Sequence, residues 1–485
     1  MVGTRTSAPW IGKRAAWRWM AAAVVLTLLA SVAAWLAARS WGESELEREL
    51  AEMKRSGAPT RLRELPTPAG RTGSDWRKWV QGIHAIESSQ PVPGTRPASA
   101  LFVLGYATAT TSVSLGPTDD FRVNPPCAAV LASVSGDADA FWEHVRGALA
   151  DPVLAEGERD CLLKAFERRA QESLQQVELG LTAPQVAHVT PTGAGGSFDG
   201  TRFAEILDMY GAVGCLTDPL QSLARARALA GNASECITAI EAGLAAAGTV
   251  ENVPCLDVWM RWIELDSAFL ACAAECVSWL PPETDFSSWN GAAESLEPQA
   301  RCLAAIDGSR ALALEQHACA KAGVPTGVTV FDEQVAGLGP LASFALDKDL
   351  AEYLAATRIY AELARLSPAE AAARFASFPP IAAPTFGSML ASVAPRWSSH
   401  PWAGLEARRR LLQLAILART RGADEAIAAC ERLRDPFDDA PMRSRRDSDE
   451  LVTLWSIGFD GVDDRGRRPS LGGSMGDLVV SVLLH

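Results

Sequence analysis

A chain of 485 residues, 48% hydrophobic and 21% charged, is long enough for roughly two or three domains and apolar enough for a sizeable core. Its net charge of −13 and pI near 5.1 argue against nucleic acid as a partner. The expected fold class is mainly α: an N-terminal transmembrane helix, an irregular body of αα-hairpins and a small C-terminal β-containing cap.

A basic head, residues 1–18, carries Arg5, Lys13, Arg14 and Arg18. It is followed by twenty residues without a charge, Trp19 to Ala38. As a helix this run is about 30 Å long, the thickness of the hydrocarbon core of a bilayer. Trp17 and Trp19 at one end, with Trp35 and Trp41 at the other, have the placement of interfacial aromatic belts. Residues 19–39 are therefore expected to form a transmembrane helix, with the lipid bilayer as partner of residues 19–38. A cleaved signal peptide is the competing reading, with Ser31-Val32-Ala33 as its small-x-small site. The apolar run continues past that site, whereas signal-peptide cores are usually about 7 to 15 residues long. No later segment matches this one in length and purity, so one span is expected, in the inner (cytoplasmic) membrane. Four Lys/Arg lie on each side of the run (Arg39, Arg48, Lys54 and Arg55 after it), but those of the head crowd closer, which favours a cytoplasmic head and a body outside the cytoplasm.

Residues 40–74 read as a stalk and linker. Leu46, Leu50 and Met53, spaced i, i+4, i+7, give Glu43–Arg55 one apolar face, and a Pro- and Gly-rich stretch follows. Residues 75–135 form a mixed region, where ALFVLGYATATTSVSL has the composition of a strand or two. Helical signals become regular from 136 and run to 434. They include a capped helix after Asp137, a long amphipathic helix over Glu158–Leu179, a glycine-rich loop at 190–200 and a helix over Phe203–Leu216. Two helix pairs then share one outline: LARARALAGNASECITAIEAGL (223–244) and LAILARTRGADEAIAACERL (414–433). Each reads as an apolar helix, a Gly turn and a second helix, in the manner of a tetratricopeptide hairpin. Between them, helices are expected near 254–280, 294–306, 308–321, 346–365, 368–376 and 384–394. Beyond Asp435-Pro436-Phe437 the pattern changes. Arg443–Arg446, Leu451–Ile457 and Leu478–Leu484 have the composition of short strands, which makes 435–485 the β cap.

Ten cysteines, at 127, 161, 215, 236, 255, 272, 276, 302, 319 and 430, form no CxxC pair, which weakens zinc-ribbon and thioredoxin readings. An exported chain permits disulfides; small buried apolar thiols are the alternative, and the sequence leaves both open. His317-Ala318-Cys319 offers two metal ligands where three or four are normally needed. Gly193–Gly200 lacks the Lys-Ser/Thr of a phosphate loop.

The stretches LARARALAG, WMRWIELDSAFLACAAECVSWL, LEARRRLLQLAILAR, DPFDDAPMRSRR, LWSIGFDGVDD and DLVVSV resemble a class of bacterial proteins with one N-terminal anchor and a helical body. That class carries no activity over to this chain. The last fifty residues resemble the C-terminal end of the major pseudopilins of type II secretion. The carriers are the Asp435-Pro436-Phe437 turn, the Ser456-Ile457-Gly458-Phe459-Asp460-Gly461 segment, Asp463-Asp464 and a final strand. The resemblance implies a calcium loop with Ser456, Asp460, Asp463 and Asp464 as ligands. The loop's carboxylates and glycine suit calcium, while Arg465, Arg467 and Arg468 compete with a cation; a solvated Asp-capped turn is the alternative. The chain's basic head departs from a pseudopilin's processed, phenylalanine-led helix, so at most a small shared fold is implied.

With no catalytic motif in view, the function expected is that of a membrane-anchored extracytoplasmic binding or scaffold protein with a protein or peptide partner. The alternative is an envelope hydrolase or lyase acting on wall or exported polysaccharide through dispersed acidic residues.

Overall fold

The computed structural model describes residues 10–61, 64–65, 213–214, 216–248, 255–294, 298–326, 329–338, 342–375, 401–467 and 476–484. The expected mixed region at 75–135, the helices after Asp137 and Glu158, the loop at 190–200 and the helix at 384–394 lie outside these residues.

The described chain is mainly helical. Its first helix, α1 (Trp10–Ser56), is 47 residues long. It carries the apolar run, whose Val24, Val25, Leu26, Leu28 and Leu29 are all exposed, and continues without a break into the segment read as a stalk. A helix long and apolar enough to cross a membrane is thus present at the N-terminus. Ala, Leu and Val fill the run, and no Gly or Pro interrupts it between Trp17 and Trp41.

Two helices follow as a pair, α2 (Thr217–Leu229) and α3 (Ala233–Gly248), packed on one another. Gly231, at φ +76°, makes the turn between them, a conformation that costs other residues a steric penalty. The hub of the body is α4 (Leu256–Val277), which packs against both. Its Trp259, Trp262 and Phe269 are among the largest fully buried side chains. Gly243 lets α3 approach so closely that a Cβ there would fall 2.1 Å from the Phe269 ring.

The short α5 (Ser287–Glu294) starts where Asp285 accepts the Ser287 amide at 2.9 Å. Next comes α6 (Pro298–Lys321), one helix where the sequence suggested two. Asp307, between the two expected helices, pairs with Arg310 across one turn at 3.0 Å, and Gly308 is buried inside the helix. After α7 (Thr329–Leu338) comes α8 (Ala342–Leu363). It runs antiparallel to α6, because Gln299 reaches the Ala364 carbonyl while Lys321 reaches Asp347. The brief α9 (Pro368–Phe375) opens on a capping box in which Ser367 and Glu370 bond reciprocally.

The closing pair is α10 (Pro401–Arg421) and α11 (Ala423–Arg432), turned by Gly422 at φ +95°. α10 lies against α4 and also covers a three-stranded antiparallel sheet, β1 (Arg443–Ser448), β2 (Leu451–Ser456) and β3 (Leu478–Leu483), in that order. These strands fall where the sequence expected them. Val452 and Leu454 of β2 pair with Val482 and Val480 of β3, and all four are buried. Two strands alone would be marginal, so the covering helix supplies the second layer. Arg419 of α10 ties the layers together. Its guanidinium donates to the Leu280 carbonyl beyond α4 at 3.0 Å and to the Leu483 carbonyl of β3 at 2.8 Å.

Candidate functional site

The face of the former stalk does not stand free. Gly42, Leu46, Glu49 and Met53 of α1, at i, i+4, i+7 and i+11 over about three helical turns, are all buried. They lie along α8, the helix with which α1 makes its main contact. Gly42 permits the approach, since a Cβ there would meet the Lys348 backbone nitrogen at 3.3 Å. Glu49 is the polar member of the face. Its carboxylate accepts from Arg358, at 3.3 Å from Nε and 3.4 Å from Nη2. That bond raises the Arg358 pKa further above its ordinary value. At the other end of the seam, the Lys348 ammonium stands 5.3 Å from the centre of the Trp41 ring. Contacts at Gly42–Lys348 and Glu49–Arg358 fix α1 and α8 as parallel neighbours.

A buried charge cluster closes the end of the seam nearest the apolar run. Asp347 of α8 is 2% exposed. His317 Nε2 lies 2.7 Å from its Oδ1, and Lys321 Nζ donates to both oxygens at 2.8 and 2.9 Å. Burial lowers the His317 pKa, opposed by the bond to Asp347 and its charge. Arg39 of α1, paired with Glu43, is near enough to feel the charge of Asp347. His317 thus faces a carboxylate and an ammonium; Cys319, its neighbour in the proposed ligand pair, is half-buried and its thiol is pushed up by burial.

In the cap, the four residues named as calcium ligands have separate roles. Ser456 is buried, and its hydroxyl donates to Asp435 at 2.9 Å. Asp460 accepts the Val462 amide at 3.0 Å within its own turn. Asp463 accepts the Trp455 indole N–H at 3.0 Å and the Arg465 amide at 2.8 Å. Burial opposes ionisation of Asp463, but these bonds and the charges of Arg443 and Arg465 hold its pKa below the usual range. Asp464 lies in the same exposed stretch. Among the described residues no group of three His, Cys, Asp or Glu is arranged to hold a metal ion. The loop instead covers Trp455: Gly466 sits where a Cβ would fall 2.9 Å from the indole.

Sequence reasoning missed the residue that organises this region. Asp435 is fully buried, and its carboxylate accepts the Phe437 amide at 3.0 Å, the Ser456 hydroxyl, the Ile457 amide at 3.0 Å and Arg443 at 2.6 Å. Its signal was the Asp-Pro-aromatic turn, where the aspartate precedes a residue that donates no amide. Asp477, at the start of β3, accepts the Gly466 amide at 2.8 Å, and burial pushes its pKa up, with Asp463 and Asp464 adding to the rise.

No family model, curated protein or solved structure matches this chain.

Proposed function

We propose that this chain is a single-pass membrane protein whose helical body, held outside the cytoplasm, binds a protein or peptide partner and presents it at a fixed distance from the bilayer. One observation supports this reading above the others. A single helix carries both the exposed apolar run and the face that packs along α8, so the body is joined to its anchor through a packed seam as well as through the chain. A scaffold gains from such a joint because it sets the height and orientation of its surface. The pairs α2–α3 and α10–α11 we read as hairpins of tetratricopeptide type, whose stacked helices offer grooves to extended or helical segments. The likeness of residues 435–485 to the end of a pseudopilin we read as a shared small fold, without a pilus role.

Affinity capture of the tagged full-length chain from detergent-solubilised membranes tests the proposal. One protein recovered in near-stoichiometric amount is the expected result. Recovery of the chain alone, from membranes in which a reporter after Arg55 works only in the periplasm, would overturn the binding role while leaving the topology intact.

A further inference from the structure

With residues 19–38 read as the membrane span, the end of the body that carries Asp347 falls at the level of the membrane surface. The apolar run ends at Ala38. Gly42, which touches Lys348, is four residues beyond it, or about 6 Å along the axis of α1. The polar layer on each side of a bilayer is about 5 to 8 Å deep. Helix α8 runs parallel to α1 and α6 antiparallel to both, so α6 travels toward the membrane and passes Asp347 at His317. Lys321 is one turn further along, about 6 Å nearer the hydrocarbon boundary. There α6 stops: Gly323 takes φ +70°, the Val324 amide bonds back to the Cys319 carbonyl at 2.9 Å, and Pro325 follows.

What this turn presents suits that depth. Val324 is 52% exposed, as is Trp41. An isolated exposed valine says little by itself, because scattered apolar residues are normal on protein surfaces. Here it follows Lys321 at the end of α6 that runs toward the anchor's apolar segment. Lys321 lies three residues before it and pairs with Asp347; Lys348 and Arg39, at the same end of the seam, pair with Glu352 and Glu43, and each of the three cations has about half or less of its side chain exposed. Long cationic stems with a nearby apolar tip can place methylenes against the acyl boundary and their heads among phosphates. Since each of these three cations keeps a carboxylate, the three pairs together are close to neutral, which suits zwitterionic phospholipid.

We propose that the turn around Val324 that ends α6, just beyond Lys321, is a second membrane contact that seats the body in the phospholipid headgroup layer of the bilayer its own anchor crosses. This rests on the reading of residues 19–38 as a membrane span. The contact restricts tilting of the body about the anchor, which a single helix in lipid would otherwise allow.

The test uses the full-length chain in phosphatidylcholine vesicles, with a benzophenone amino acid in place of Val324, of Trp41 or of Glu52. Flotation of the vesicles first establishes whether the chain inserts; a chain that stays at the bottom of the gradient refutes the span itself. In floated vesicles, irradiation is expected to give lipid adducts at 324 and 41 and none at 52, which lies about 21 Å beyond Ala38. Adducts at 41 without any at 324 would overturn the second contact while leaving the anchor in place. Val324→Glu gives a second readout. It should float as the parent does, but exchange of the amides at 321–324 and 326 should become several-fold faster in vesicles. Unchanged exchange would also contradict the proposal.

Discussion

Glu49 and Arg358 meet across 309 residues of sequence, with the Arg358 Nε 3.3 Å from the carboxylate of a glutamate that is 4% exposed. The pair is asymmetric, since Arg358 keeps a large part of its side chain in solvent and also touches Glu362 at 3.8 Å. Truncating the arginine therefore costs more than neutralising the acid. Arg358→Ala leaves a buried carboxylate with Arg48 at 3.7 Å as its remaining cation, and should destabilise the seam by about 1 to 3 kcal/mol. Glu49→Gln, which retains an acceptor, should cost less. Limited proteolysis after Lys54 and Arg55 reads the effect: the parent resists cleavage there, and Arg358→Ala is cut several times faster.

Asp435 carries the largest single polar burden in the cap. Asp435→Ala removes the acceptor of two backbone amides and a hydroxyl and takes a carboxylate from Arg443, which retains Asp438. A loss of about 3 kcal/mol is expected, as for breaking other buried pairs. Asp435→Asn keeps part of the network and should fall between. Urea unfolding of the full-length chain, followed by Trp fluorescence, gives the ordering; equal midpoints for the three proteins would remove Asp435 from its central place.

Seven described cysteines are free thiols, and all but Cys319 are buried. Burial pushes Cys272, Cys276 and Cys302 well above the usual thiol range, which makes them poor nucleophiles. Alkylation of the native chain should label Cys319 first, and denaturation without reductant should expose all seven. Peptides carrying Cys236 or Cys276 that stay unlabelled until a reductant is added would show a disulfide in their place.

The acidic loop gives two linked expectations. Asp477 has a folded pKa above its unfolded one, so its stabilising contribution is full below the unfolded value and is lost as pH rises through the folded value. At neutral pH the native state carries that cost, and Asp477→Asn should raise the melting temperature there but not in acid. Millimolar calcium should leave the melting temperature of the parent unchanged, because Ser456 is engaged by Asp435 and Asp463 by the Trp455 indole. A calcium-dependent rise that Asp460→Ala abolishes would show that the loop rearranges around the ion.

Much of the helical and strand pattern was legible because it is local. The α10–α11 pair and β2–β3 are written in apolar spacing over ten or twenty residues, with Gly422 marking the turn. Leu46, Leu50 and Met53 announced a buried face, but nothing in their spacing names α8, some 300 residues away, as the surface that covers it. Gly42 reads as an ordinary helix residue until Lys348 is placed against it. Likewise His317 drew attention beside Cys319, whereas its partners Asp347 and Lys321 come from tertiary packing and from the next helical turn. The break expected between 306 and 308 falls inside α6, where Gly308 is buried despite its weak helix propensity.

A retained anchor, continuous with the body through α1, is what the proposed function requires above all. Alkaline carbonate extraction of membranes containing the full-length chain, with intact mass measured on the recovered protein, tests it. The chain should stay in the membrane pellet with its N-terminal residues still attached. Release into the supernatant, or a mass that begins after Ala33, would contradict it.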